Sequence, residues 1–471
     1  MSTGASPWTA RSTARSTAAL CLLACLSLWL VYLIGTPTFW DPDEATYAQA
    51  SREMLETGTW LVPTFNGRPF MDKPPLFYML QILSYRVFGV GEFAARLVPA
   101  VSAAGLCVLL SWFGRRTIGR REGLSATLML VTLPATFALA AYAILDMTFT
   151  LCLFGAVCLV TVSVLERRAA LEYGGYALLA CAVLVKGPVA LALAGLAYLL
   201  VVVLVPELRP AFLRLHLIRG AAIVLLLAGP WFLYMWWRFG DTFVQGYVLN
   251  ENIWLFTRPL YGSQPSRWFY VRVMATGMLP WTPLLLGGLF DGLRQRPLPV
   301  IDRVLWIWVA VIVGFFSASS FRLDHYVFPA CPALCLLAAR AWHAAQRTEG
   351  APLGARVGAA SAPVLLVLAG LVLIPGLRLV PLTLPPAVWL VPVCLVCGGA
   401  LVGSRRLRGH LFDGLPLAPA LALTTIYVVV LLFAAPVFEA AKPTPRLARL
   451  VRETAPPDAQ VAMYRLNRWT S

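Results

Sequence analysis

The sequence predicts an all-α polytopic membrane protein. Of its 471 residues, 59% are hydrophobic and 13% charged, where a soluble chain carries about 25% charged residues. Its mean hydropathy is +0.75. Its apolar residues are grouped into runs near the ~18–20 residues that cross a bilayer. Thirteen such runs are read: 18–36, 92–113, 124–142, 146–165, 174–185, 187–205, 219–237, 268–289, 303–320, 326–341, 358–377, 386–403 and 415–436. The fifth is the shortest of these.

The charge follows the same division. The formal net charge is +16, and only three lysines contribute: Lys73, Lys186 and Lys442. Many of the arginines lie in alternate short connections: "GRRTIGRREG" (114–123), "ERRAALE" (166–172), "PELRPAFLRLHLIRG" (206–220), "DGLRQRP" (291–297), "HAAQRTEGAPLGAR" (343–356) and "SRRLRGH" (404–410). Short basic loops stay in the cytoplasm. All six agree on one parity, with the N-terminus inside and the C-terminus outside. Topology therefore accounts for the basic charge, and no nucleic-acid partner is implied; membrane lipids are the expected surroundings. The expected organisation is a cytoplasmic tail (1–17), a transmembrane domain (18–436) with long outer loops at 37–91 and 238–267, and an outer-face tail (437–471). That tail reads as the truncated start of a soluble domain.

The first outer loop holds two helical patterns. One runs from about Pro42 to Glu56. The other follows Pro74-Pro75, with Leu76, Met79, Leu80, Leu83 and Val87 at helical spacing. Both are too short to span and suit the membrane interface. The ten cysteines all sit in apolar runs. Neither a disulfide framework nor a zinc site at Cys394 and Cys397 is read from them, because a zinc site wants further ligands.

Ionisable residues avoid the centres of the spans. A coupled transporter usually carries some at mid-depth. Here they gather on the outer side: Asp41, Asp43, Glu44, Asp72, Lys73, Asp146, Lys186, Glu251, Arg258, Arg322, Asp324, His325 and Tyr326. A polar site beside the headgroups suits chemistry on a lipid-borne substrate.

Local rules explain some of these residues without function. In "DPDE", Asp41 suits an N-cap, Pro42 the first helical position and Glu44 a capping box. Asp43 is not required by that pattern, although the helix dipole favours its ionised form. Lys73 precedes a helix start, where a cation is disfavoured. Either Asp72 neutralises it or it grips a phosphate. Asp146 is an N-cap or a site residue. Lys186 separates two apolar runs and is expected to snorkel. His325 is a base, a phosphate donor or an interfacial hydrogen-bonding group.

In combination the motifs resemble a family. "DPDEATYAQASREMLETGTWLVPTFNGRPFMDKPPLFYMLQILSYRVFGVGEFAARLVPA" resembles the first outer loop of the bacterial 4-amino-4-deoxy-L-arabinose–lipid A transferases. It also resembles the wider glycosyltransferase family related to protein O-mannosyltransferases. "YAILD", "LVKGP", "ENIWLFTRPLYGSQPSRWFYVRVMATGMLPW" and "R..HY..P" follow in the same order, so the resemblance covers roughly residues 20–340. It departs from the lipid A enzymes at Thr46, Gln49, Asn252 and Leu255.

The resemblance implies a C-type glycosyltransferase fold with about thirteen transmembrane helices. It implies transfer of a sugar from a polyprenyl (undecaprenyl) phosphate carrier to lipid A, an envelope glycan or a protein at the outer face, with inversion. By this likeness Asp43 and Asp146 are the catalytic acids. Lys73, Arg258, Arg322, His325 and Tyr326 bind the carrier phosphate. Glu44, Asp72, Lys186 and Glu251 support them. No cofactor is required, and a divalent metal is compatible with the reading. The alternative from another class is a lipid or glycolipid transporter that uses the outer cluster only for binding.

Overall fold

The structure, a computed structural model, describes residues 37–40, 42–258, 265–294, 297–347, 349–380, 383–403 and 415–456. The expected span 18–36, Asp41, Cys21 and Cys25 lie outside them. Among the described residues eight helices are long and apolar enough to cross a bilayer, or ten when each sharply bent pair counts as one span. These, with two shorter apolar helices, overlap all the other expected runs.

The outer loop comes first in the described chain. Helix α1 (Asp43–Thr57) starts after Pro42, carries Asp43 and Glu44 in its first turn, and ends at Gly58, whose φ of 70° closes the helix. A two-stranded hairpin follows, β1 (Thr64–Phe65) paired antiparallel with β2 (Arg68–Pro69). Glu53 on α1 accepts the hairpin's Asn66 and Gly67 N–H groups at 2.8 and 3.1 Å. Helix α2 (Leu76–Phe88) starts after Pro75. It buries Phe77, Tyr78, Gln81, Ile82 and Tyr85, while Leu83 and Val87 are exposed. The expected apolar stripe is thus divided. Leu76 and Leu80 pack on the core, and Leu83 and Val87 face outward, as an interfacial helix requires.

The bundle begins with α3 (Glu92–Thr117), α4 (Arg120–Val131) and α5 (Pro134–Ala140). Gly114 and Gly123 let α3 and α4 meet at backbone distance: a Cβ on Gly114 would stand 2.5 Å from Gly123 Cα. Helices α4 and α5 are bent by 66° where Pro134 restarts the helix. The antiparallel pair α6 (Asp146–Glu166) and α7 (Ala169–Lys186) packs on them. Gly187, at φ 92°, and Pro188 separate α7 from α8 (Val189–Leu204).

After α9 (Leu217–Phe239), the second outer loop continues as a wide π-helical segment, Val244–Trp254. Helices α10 (Phe269–Gly277) and α11 (Thr282–Arg294) form the second bent pair, at 111°. Helix α12 (Val300–Ala318), a 3-10 segment (Asp324–Ala330) and α13 (Cys331–Ala345) complete the central core. Helices α14 (Leu353–Arg378), α15 (Leu390–Gly403) and α16 (Leu417–Val429) pack at its side.

The ion pairs fall into two groups at opposite ends of the helices. At one end Arg116 meets Glu166 at 2.5 Å, Arg303 meets Glu207 at 2.6 Å, and Glu172 accepts the His216 N–H at 2.6 Å. These join connections that the charge bias assigns to the cytoplasm. The candidate site residues gather at the other end.

Candidate active site

Five segments contribute to one polar cluster: the start of α1, residues 70–75, the α6–α8 region, the π-helical segment, and the 3-10 segment before α13. A cavity of about 360 Å³ opens among Asp72, Lys73, Lys186, Tyr247, Glu251, Asn252 and Tyr326, with an apolar wall that includes Val189, Leu255, Phe315 and Phe316. One side can hold a charged head and the other a hydrocarbon tail.

Lys73 is the central cation. Its Nζ lies 2.5 Å from Asp72 Oδ1 and 3.2 Å from Glu251 Oε2. Asp72 also accepts the Tyr47 hydroxyl at 2.8 Å, which ties α1 to this segment. Although burial opposes the charge, Asp72 and Glu251 hold the Lys73 ammonium well above its ordinary pKa. Burial pushes Glu251 up to about 7; Lys73 opposes the shift and Asp72 adds to it.

Asp43, in the first turn of α1, is partly buried. Burial pushes its carboxyl above the usual aspartate value, with His325 opposing and Asp72 and Asp146 reinforcing. The helix dipole was expected to favour ionisation, but desolvation outweighs it here. Asp43 lies one turn before Tyr47, whose hydroxyl reaches Asp72.

Asp146 opens α6 and is buried. It forms an ion pair with Lys186, and its other oxygen lies 3.7 Å from His325 Nε2. Lys186 therefore does not snorkel. It is 8% exposed, and its ammonium lies 4.5 Å from the centre of the Tyr326 ring. A partner carboxylate and an aromatic face together offset its loss of water.

Three other expectations are corrected. Glu44 is a buried structural acid rather than a capping group: Pro42 holds the N-cap position of α1, and no side chain caps it. It accepts the Trp40 N–H at 2.9 Å and the Ala143 N–H at 2.9 Å, and it binds Arg96 Nε at 2.6 Å. Arg322 does not face the cavity. Its guanidinium donates to the carbonyls of Ser317, Ser319, Pro265 and Ser266 at 2.7–3.1 Å. Those four bonds brace the loop that carries His325. Arg258 is exposed and lies over the Trp254 ring at 4.6 Å, outside the cavity wall.

The individual sequence arguments missed Arg96, Tyr47 and Tyr247. Arg96 and Tyr47 lie in the long first-loop block, but nothing local marks them as partners of Glu44 and Asp72. No group of three or more His, Cys, Asp or Glu residues is placed to hold a metal among the described residues. Cys394 and Cys397 are free thiols.

Comparison with known proteins finds relatives of the chain. Residues 17–244 match the family model described as dolichyl-phosphate-mannose-protein mannosyltransferase. The undecaprenyl phosphate-alpha-4-amino-4-deoxy-L-arabinose arabinosyl transferase of Edwardsiella ictaluri is 31% identical over 323 residues, covering 66% of this chain and 57% of that protein. Its namesake from Yersinia pestis is 32% identical over 326 residues, covering 67% and 58%. The chain thus spans 57–58% of the length of these two relatives. The crystal structure of ArnT from Cupriavidus metallidurans bound to undecaprenyl phosphate superposes with a TM-score of 0.76 at 24% identity, covering 94% of this chain and 82% of that one. This likeness gives the fold: that of the C-type glycosyltransferases, multi-pass helical membrane proteins.

Proposed function

We propose that this chain, a relative of the aminoarabinosyl transferases and of the protein mannosyltransferase family, is a lipid-carrier glycosyltransferase of the bacterial inner membrane. It takes a sugar from a polyprenyl (undecaprenyl) phosphate and gives it to an envelope acceptor at the outer face. Lipid A, a glycan hydroxyl and a protein are the acceptor classes considered. The observation that carries the reading is Lys73: a half-buried ammonium in a cavity with one apolar wall, near the carboxyl of Asp43.

The chemistry follows from the charges. The anomeric C–O bond breaks and its electron pair stays on the phosphate oxygen. Lys73, already oriented in a site of low dielectric, stabilises that growing charge. The acceptor oxygen attacks the opposite face of the sugar, so the centre inverts. For a hydroxyl acceptor, Asp43 takes the proton, a contribution of ~10²–10⁴ in rate. Asp146, held by Lys186 and beside His325, positions the acceptor. For an acceptor that is already an ionised phosphate, Asp43 instead orients the sugar. Tyr326 lines the cavity between these groups.

The orientation we infer puts the cluster and the C-terminus outside and the basic loops inside. We assign residues 18–436 to the transmembrane domain, 1–17 to a cytoplasmic tail and 437–471 to the outer face. Purified protein given a radiolabelled undecaprenyl-phosphate sugar and envelope lipids tests the reading. Label moving to an acceptor supports it. Binding of the carrier lipid with no transfer to any acceptor would favour the transporter alternative.

A further inference from the structure

Lys73 faces two carboxylates, although one is enough to neutralise it. Asp72 lies 2.5 Å away on the neighbouring residue, and Glu251 reaches in from the π-helical segment to 3.2 Å. The second ammonium on the cavity wall, Lys186, is already paired with Asp146. The wall around Lys73 thus carries one carboxylate more than the ammonium needs. An anion seated there meets Glu251 as a like charge. This costs affinity, and the cost rises with the charge of the anion.

The proposed reaction changes that charge. The donor phosphate is a diester with one negative charge. When the anomeric C–O bond breaks, the electron pair stays on the phosphate oxygen, and the acceptor's proton leaves with the base. The spent carrier is then a monoester, whose second ionisation falls near pH 6, as for other phosphomonoesters. Near neutral pH it carries close to two charges. A site that held both forms equally well would fill with its own product.

We propose that Glu251 is the charge-selecting residue of the carrier seat, admitting the singly charged diester and driving out the doubly charged monoester after transfer. This rests on the lipid-carrier reading above. The groups that face Glu251 are Lys73 and Asp72 from the segment before α2, Tyr78 from α2, Lys186 and Tyr326 across the cavity, and Tyr247 on its own segment. Of the carboxylates, Asp72 is held below its ordinary value by Lys73 and stays charged. Glu251, with its pKa of about 7, gains charge over the same pH range as the monoester. Selection therefore strengthens as pH rises from 6 to 8.

The test is equilibrium binding of two lipids to the full chain in nanodiscs at pH 6 and pH 8. The lipids are undecaprenyl phosphate and its methyl diester. Glu251→Gln is expected to bind the monoester on the order of tenfold more tightly at pH 8, and the diester at most about threefold more tightly. The difference should shrink at pH 6. Glu251→Asp keeps the charge and should keep the wild-type preference. Equal tightening for both lipids, or weaker monoester binding by Glu251→Gln, overturns the inference while leaving the carrier reading intact. Wild-type protein that binds neither lipid overturns the carrier reading and this inference with it.

Discussion

Arg96 holds Glu44 through two bonds, Nε at 2.6 Å and Nη2 at 2.9 Å, with both side chains almost fully buried. The pair joins α1 to α3, and Glu44 also accepts the Ala143 N–H ahead of α6. Three elements are thereby fixed relative to one another, one residue away from Asp43. Breaking a buried pair from one side leaves an uncompensated charge. Arg96→Met is therefore expected to destabilise the protein by about 3–5 kcal/mol. The double variant Arg96→Met/Glu44→Leu should recover part of that loss. Thermal unfolding in a fixed detergent checks both.

The Asp146–Lys186 pair makes a separate prediction, because Asp146 is also placed at the chemistry. Lys186→Met strands Asp146, since His325 at 3.7 Å is too far to replace the ammonium. It should cost about 3–5 kcal/mol of stability and abolish transfer. Adding Asp146→Leu should restore stability but not transfer. Recovery of both would mean that Asp146 has only a structural role.

Arg322 is predicted to act on stability rather than on carrier affinity. Its guanidinium is spent on four backbone carbonyls. Arg322→Gln should lower thermal stability by about 2–3 kcal/mol, as expected for lost charge-assisted hydrogen bonds. The Kd for undecaprenyl phosphate should stay within about threefold, since the guanidinium does not face the seat.

The pH profile follows from Asp43. A base must be ionised, so activity falls as pH drops through its pKa. Burial raises that pKa above the ordinary 3.8. The acid limb of log kcat/KM should therefore lie above that of a solvated aspartate. A limb at or below 3.8 would exclude Asp43 as the titrating base.

These predictions also separate what could be read in the sequence from what could not. The apolar runs after the first, the two outer-loop helices and the break between the runs on either side of Lys186 are local patterns, and the described residues have them. The order of the motifs pointed to Asp43, Lys73, Asp146, Glu251 and His325; the fold brings Glu251 to Lys73 and His325 to Asp146. The partners were not legible. Glu44 finds Arg96 fifty-two positions away, and Lys73 finds Glu251 at a separation of 178. Local rules therefore made Glu44 only a cap and Lys186 a snorkelling lysine. Arg322 misled for a related reason: a basic residue in a site motif suggests phosphate, and nothing nearby reveals four waiting carbonyls.

The most direct test of the account compares wild type, Asp43→Asn and Lys73→Ala in one assay. Transfer from a radiolabelled undecaprenyl-phosphate sugar and binding of undecaprenyl phosphate are both measured in nanodiscs. Asp43→Asn should lose ~10²–10⁴ of the transfer rate to a hydroxyl acceptor while still binding the carrier. Lys73→Ala should lose carrier binding and transfer together. Transfer at the wild-type rate in Asp43→Asn, or undiminished carrier binding in Lys73→Ala, would contradict the account.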